Sequence, residues 1–214
     1  MIKQIIFTFT ILLTLGAFAF TITRLIRFFR FTKANFPIRN FRKRIMITLE
    51  VAIGQTKIFR RPVIGFFHAI VFWGFCVITF GSLEMVIDGL SGNEKSFSNL
   101  GWLHSAIMAS GDVFALLVTA SIIIFMVRRL FLHISRFEGI EMKKKSHQDA
   151  NIALGMILML MLSLMGMNLS YVQLHLASGA PILGVYPVAS FIKPVLSGFS
   201  VNSLHLLYEF NWWA

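Results

Sequence analysis

The chain has 214 residues, 57% of them hydrophobic, with a mean hydropathy of +0.76. This composition excludes a soluble globular domain and indicates an all-α, polytopic membrane protein. The net charge of +11 does not indicate nucleic-acid binding, because eleven of the 20 basic residues lie in residues 24–61 and six in residues 128–145. Basic loops between apolar runs follow the positive-inside rule, so both loops are expected on the cytoplasmic side.

The first apolar run, at about residues 5–26, predicts the first membrane span. Only Lys3 precedes this run, whereas Arg24, Arg27 and Arg30 lie at its end or follow it. A signal peptide carries its positive charge before the apolar run, so the pattern favours a retained helix. The same bias places the N-terminus outside.

The first basic loop, residues 27–62, alternates arginine and lysine with phenylalanine. This pattern favours contact with anionic lipid headgroups, and docking of an acidic partner protein is the alternative. Residues 45–53 are apolar but too short to span a bilayer, so they predict an interfacial helix.

The second span, at about residues 63–88, contains His68 in its first half. An imidazole in hydrocarbon is costly, so it needs a polar partner or a metal. The small residues Gly65, Ala69 and Gly74 would allow a flat group or another helix to approach closely. A haem b with His68 as axial ligand satisfies both features. The alternative is a histidine that donates to a carbonyl of a neighbouring helix.

Carboxylates lie near the outer ends of two spans. Glu84 and Asp88 lie late in the second span, and Asp88 is expected to act as an interfacial cap. The third span, at about residues 102–127, carries His104 and, about 12 Å further along the helix, Asp112. A carboxyl group at that depth is a functional-site hypothesis, here quinone contact or proton exchange by Asp112 with Glu84 or His104. The alternative is an aspartate hydrogen-bonded to a neighbouring helix.

The fourth span is predicted at about residues 152–176, and its small residues form one side suited to helix packing. These small residues are Gly155, Ser163, Gly166 and Ser170. Residues 177–203 are expected to form an external loop, with a short interfacial helix near residues 188–196. Residues 204–214 begin a fifth span that stops after its first aromatic cluster, which suggests a piece of a longer protein.

Haem b in a helix bundle usually has two axial ligands at similar depth. His68 lies near the cytoplasmic end of its span, and its second ligand is therefore expected to be either His147 or, by preference, a residue beyond Ala214. Three other histidines lie near the outer face: His104, His175 and His205. They form either a second site, such as one for a quinone headgroup, or ordinary interfacial histidines.

The stretch of residues 65–75, GFFHAIVFWGF, resembles the second helix of membrane haem b modules similar to the gamma subunit of respiratory nitrate reductase. A closer resemblance is to the N-terminal membrane part of iron–sulfur oxidoreductases related to heterodisulfide reductase. That group includes proteins thought to pass electrons between electron-transfer flavoprotein and menaquinone. Residues 54–57 (GQTK), 112–114 (DVF) and 208–213 (YEFNWW) also resemble this group.

The resemblance implies five spans, haem b ligated by His68, and a cytoplasmic domain with iron–sulfur clusters after the fifth span. The matching ligands of the fifth helix would fall after Ala214. The nitrate reductase subunit holds a second haem through another histidine of this helix, and here that position is Ile78, which puts a second haem at that place in doubt.

Residues 1–214 are therefore interpreted as a membrane domain for haem b and quinone electron transfer, in a bacterial-type cytoplasmic membrane. The domain would relay electrons between menaquinone or another quinone and a cytoplasmic iron–sulfur domain or electron-transfer flavoprotein. Arg60 and Arg61 are expected to contact the haem propionates, with headgroup contact as the alternative. No catalytic residue is identified. The alternative function is a non-redox membrane protein, either a transporter or a membrane anchor or scaffold.

Overall fold

The structure is a computed structural model that describes residues 2–31, 39–131 and 144–214, with only the backbone described for residues 144–147. Within these ranges the chain is helical and contains no strand, which confirms the all-α class. The α-helices are α1 (Ile2–Phe29), α2 (Phe41–Thr48), α3 (Pro62–Ser91), α4 (Trp102–Phe131), α5 (Lys144–Ser178), α6 (Pro187–Ile192) and α7 (Val201–Trp213).

Four of these helices are long and apolar enough to cross a membrane: α1, α3, α4 and, within α5, residues Gln148–Ser178. They confirm the four predicted spans, and each helix extends a few residues beyond its apolar run. Pro62 begins α3, where its missing N–H would have no helical acceptor in any case. Arg128 and Arg129 lie in the last turn of α4, where cations complement the helix dipole. The orientation of the N-terminus stays a prediction.

The chain forms two compact units, and helix α3 contributes residues to both. The first unit comprises Met1–Lys57 and Leu83–Ser96. Here the start of α1 contacts the end of α3, since the side-chain amide of Gln4 donates to the Ser91 carbonyl oxygen at 2.9 Å. The ring of Phe7 lies directly against Gly89, where any larger residue would displace it. The structure thus joins the first predicted span to the last turns of the second.

Helix α2 also belongs to the first unit, and it continues without a break as a π-helix over Leu49–Ile53. Every residue of both segments is exposed. This result confirms that the short apolar segment at residues 45–53 is helical. Its location at a membrane surface stays a prediction.

The second unit comprises Ile58–Ser82 and Phe97–Ala214. Helix α3 packs against α4 where Gly74 faces the side chains of Val118 and Phe114. Helix α5 packs against α4 on one side and against α7 on the other. Small residues permit the second contact, because a Cβ on Gly166 would lie 2.7 Å from Asn211 Oδ1. The predicted packing role is therefore confirmed at Gly166, whereas Gly155 faces open space.

Residues 179–200, between α5 and α7, fold back against α4 and α5, and we call them the re-entrant segment for this reason alone. The segment contains α6, which is extended by a 3₁₀ turn over Lys193–Leu196, so the helix expected near residues 188–196 is present. The location of these residues on the external side stays a prediction. Helix α6 packs against both α4 and α5 and joins a buried cluster of Met108, Tyr171, Val172, Tyr186 and Ala189.

Candidate functional site

His68 lies about two turns into α3, and its side chain is exposed. No hydrogen bond or ion pair joins it to any residue within the described ranges. The imidazole is therefore not used to bond a neighbouring helix in this part of the chain. Phe75, two turns further along, is 71% exposed and lies on the same face.

Arg60 and Arg61 lie immediately before α3 and are both exposed. Arg61 directly precedes the first residue of α3 and lies seven residues before His68. The two guanidinium groups and the imidazole thus occupy the same end of α3.

The small residues near His68 lie against protein, which is one of the two roles expected of them. A Cβ on Gly65 would lie 2.5 Å from the Ile58 carbonyl oxygen, so this glycine permits the chain to turn tightly before α3. Ala69 is buried, and Gly74 admits Val118 of α4. These residues allow close packing of protein on protein. The open space beside His68 lies on the exposed face of α3.

An exposed imidazole without a polar partner suits one axial position of a haem b, because such a ligand needs a ring nitrogen free to bind iron. The imidazole of His68 therefore fits the role of one axial ligand of a haem b. The described residues contain no cluster of three or more His, Cys, Asp or Glu that could hold a metal ion. The side chain of His147 lies outside the described residues, so the alternative second ligand is not placed.

Asp112 lies in the third turn of α4 and is 1% exposed. Its Oδ1 accepts a hydrogen bond from Asn168 Nδ2 of α5 at 3.0 Å. Its Oδ2 accepts from the backbone N–H groups of Val188 and Ala189 at 2.7 and 3.1 Å. The carboxylate thus joins three helices. This agrees with the alternative prediction, an aspartate that is hydrogen-bonded to a neighbouring helix.

The re-entrant segment reaches Asp112 by passing over the face of α4 that also carries His104 and Met108. A Cβ on Gly184 would lie 3.0 Å from Met108 Cγ and 3.4 Å from His104 Cε1. Asp112 lies ten residues beyond Trp102, about 15 Å along the helix. The segment therefore covers this face from His104 to Asp112, about 12 Å along the helix axis.

Sequence reasoning did not identify the partners of Asp112 because they come from residues 56 to 77 positions away in the chain. One local signal was available: Pro187 begins a helix, yet the preceding Tyr186 has no side chain suited to cap it. A helix that begins without a local cap suggests a cap from elsewhere in the fold.

The outer histidines occupy three different environments. His104 is buried, at 2% exposure. The His175 ring lies against the Tyr171 ring at an angle of 44°, with centroids 4.0 Å apart, and its Nδ1 lies 2.9 Å from the Tyr171 carbonyl oxygen. His205 is 61% exposed and lies 3.9 Å from Glu209. These differences favour ordinary interfacial roles for His175 and His205.

The two carboxylates of the second predicted span also differ. Glu84 is 1% exposed. Asp88 accepts hydrogen bonds from the backbone N–H groups of Lys95 and Ser96, both at 2.9 Å, and so fixes the loop after α3 as the predicted cap. Burial lowers the pKa of the Lys95 ammonium, and the nearby carboxylates of Glu84, Asp88 and Glu94 oppose this shift.

The chain resembles a protein of Bacillus subtilis (strain 168) named "Probable iron-sulfur-binding oxidoreductase FadF". The two are 25% identical over 178 residues, which is 82% of this chain and 23% of that protein. The chain thus spans less than a quarter of its relative's length. This similarity supports a distant relationship to that protein. No protein-family model and no solved structure matches the chain.

Proposed function

We propose that this chain is the membrane domain of a respiratory oxidoreductase, which relays electrons between a quinone and a cytoplasmic redox partner. The observation that carries the proposal is the similarity to an iron–sulfur-binding oxidoreductase, together with four helices able to cross a membrane. The partner would be an iron–sulfur domain or electron-transfer flavoprotein, and the membrane a bacterial-type cytoplasmic membrane. Menaquinone is the quinone that the family resemblance favours.

His68 would hold a haem b, because its exposed imidazole has no competing polar partner within the described residues. The bound haem would supply a one-electron carrier within the bilayer. Arg60 and Arg61 would provide positive charge for the propionate groups at the same end of α3. Phe75 would shield the site from water on the same helix face. The iron–sulfur clusters would belong to a part of the parent protein outside this chain.

Quinone contact by Asp112, Glu84 or His104 is a second part of the proposal. All three side chains are buried, with at most 2% exposure. A quinone would therefore reach them only after the residues that cover them move. For Asp112, contact would also replace hydrogen bonds that the carboxylate already accepts.

The test is a dithionite-reduced minus oxidised spectrum of the full-length protein, purified in lipid nanodiscs. We expect a b-type α-band that disappears in His68→Ala. His205→Ala is the matched control, because it removes another exposed histidine from an apolar helix, and it should keep the band. Circular dichroism checks that both variants keep their helical content.

A well-folded wild type without haem would contradict the relay through His68. The competing function, a non-redox transporter or scaffold, predicts that outcome. A band that survives in His68→Ala would contradict the assignment of this ligand while leaving a haem-based relay in place.

A further inference from the structure

The re-entrant segment covers one face of α4, and the carboxylate of Asp112 lies beneath the first turn of α6. Buried backbone between helices is tolerated only when its polar groups are satisfied by protein. The first turn of α6 meets this requirement through Asp112, which lies 76 residues before Val188 in the chain.

The start of α6 has no cap of its own. The first N–H groups of any helix lack acceptors within the helix, and a side chain such as aspartate normally accepts them. Here Pro187 has no N–H, and the side chain of Tyr186 does not cap the helix. Val188 and Ala189 therefore carry the first donors, and both bind one oxygen of Asp112.

The other oxygen of Asp112 binds Asn168 on α5, so one buried group ties α4, α5 and α6 together. Removal of the carboxylate leaves two backbone donors and one amide donor unsatisfied at a buried site. Packing adds to the closure, because Tyr186 and Ala189 are both 3% exposed within the same cluster.

We propose that Asp112 is a positioning residue that latches the re-entrant segment closed over the His104 and Met108 face of α4. Opening of this latch exposes that face, and closure covers it. The proposal does not rest on haem or quinone, so it stands or falls independently of the function assigned above.

The test is hydrogen–deuterium exchange, followed by mass spectrometry, on the full-length protein in lipid nanodiscs. Asp112→Ala should raise the exchange rate of the peptide that contains Val188 and Ala189 by about tenfold or more. Ser121→Ala is the matched control, because Ser121 is equally buried on α4 but, among the residues that the structure describes, hydrogen-bonds only to the Leu117 carbonyl of its own helix. The control should leave that peptide unchanged.

Asp112→Asn separates a latch from a proton carrier. The asparagine carbonyl can still accept from Val188 and Ala189, and Asn168 can turn its own amide to accept from the new amide group. If Asp112 is a latch, the peptide that contains Val188 and Ala189 should exchange in Asp112→Asn at a rate much closer to wild type than to Asp112→Ala. A role in proton exchange needs an ionisable carboxyl group, which both Asp112→Asn and Asp112→Ala remove. A function that depends on such a role is therefore lost in both variants.

Two results would overturn the proposal. One is unchanged exchange at residues 185–192 in a folded Asp112→Ala protein. The other is an Asp112→Asn protein that exchanges there as fast as Asp112→Ala. If Asp112→Ala does not fold, Asn168→Ala replaces it, because it removes one partner of the same carboxylate. That variant should raise exchange at residues 185–192 while peptides of α1 stay at wild-type rates, and equal acceleration in α1 would also overturn the latch.

Discussion

The hydroxyl of Ser163 on α5 donates a hydrogen bond to the backbone carbonyl of Asn211 on α7, with 2.7 Å between the oxygens. Three residues further along α5, Gly166 leaves room for the Asn211 side chain. The Asn211 amide in turn donates to the Leu207 carbonyl of its own helix at 2.8 Å. Small and polar residues thus bring these two helices together, as is common where helices associate within lipid.

Gly166→Val should weaken the contact between α5 and α7. The new side chain would occupy the space of Asn211, and overpacking of this kind costs about 1–3 kcal/mol. Gly155→Val is the control, because it adds the same side chain to the same helix at a position with nothing within 4 Å. Unfolding of both variants in mixed detergent micelles measures the difference, and equal loss of stability in the two would contradict the contact.

Gly74→Val should push α3 away from α4, because its side chain would meet Val118 and Phe114. We expect a loss of about 1–3 kcal/mol in the free energy of unfolding. Val118→Ala in the same chain should recover part of that loss, since it removes the closest atom. A double-mutant cycle measures this coupling, which is commonly about 0.5–3 kcal/mol for residues in contact. Gly111→Val, on an open position of α4, controls for the effect of valine in a helix.

Lys95→Met should change how stability depends on pH in alkaline solution. Burial lowers the pKa of Lys95 in the folded state below its ordinary value of 10.5. Between these two pKa values the unfolded chain binds more protons than the folded chain, so wild-type stability should rise with pH. Lys95→Met removes this contribution to the rise. Unfolding curves of both proteins at several pH values from 8 to about 10.5 measure the difference, and parallel pH profiles would contradict the lowered pKa.

Tyr171→Phe should loosen the start of the re-entrant segment without disturbing its aromatic neighbours. The Tyr171 hydroxyl accepts a hydrogen bond from Leu183 N–H at 3.1 Å. Its loss should cost about 1 kcal/mol and speed exchange at Leu183. The ring contacts with Tyr186 and His175, at centroid distances of 5.5 and 4.0 Å, remain in this variant. Tyr171→Leu removes those contacts too, so its loss of stability should be larger, and equal effects would contradict the packing role.

The membrane spans could be predicted from the sequence because each depends on a local property, a long apolar run with charges at its ends. The capping role of Asp88 could also be predicted from the sequence, since its partners Lys95 and Ser96 lie within eight residues. The position of α6 could not be predicted in this way. It depends on a carboxylate from a helix 76 residues earlier, and no local pattern reports such a contact.

The glycines illustrate a second limit. A sequence shows that small residues permit close approach, but it does not show what approaches. Gly74 could have faced a porphyrin, and the structure places Val118 against it. His68 differs in this respect, because an exposed imidazole at the end of α3 remains suited to the ligand role that its residue type predicted.

The distant cap on α6 also constrains the order in which the chain can assemble. Asp112 and Asn168 precede α6 in the sequence, so both helices that hold them are synthesised first. The first turn of α6 gains its acceptor only when it reaches α4, which carries Asp112. Until then, the N–H groups of Val188 and Ala189 lack that acceptor, and the earlier helix α4 serves as the template on which the first turn of α6 forms.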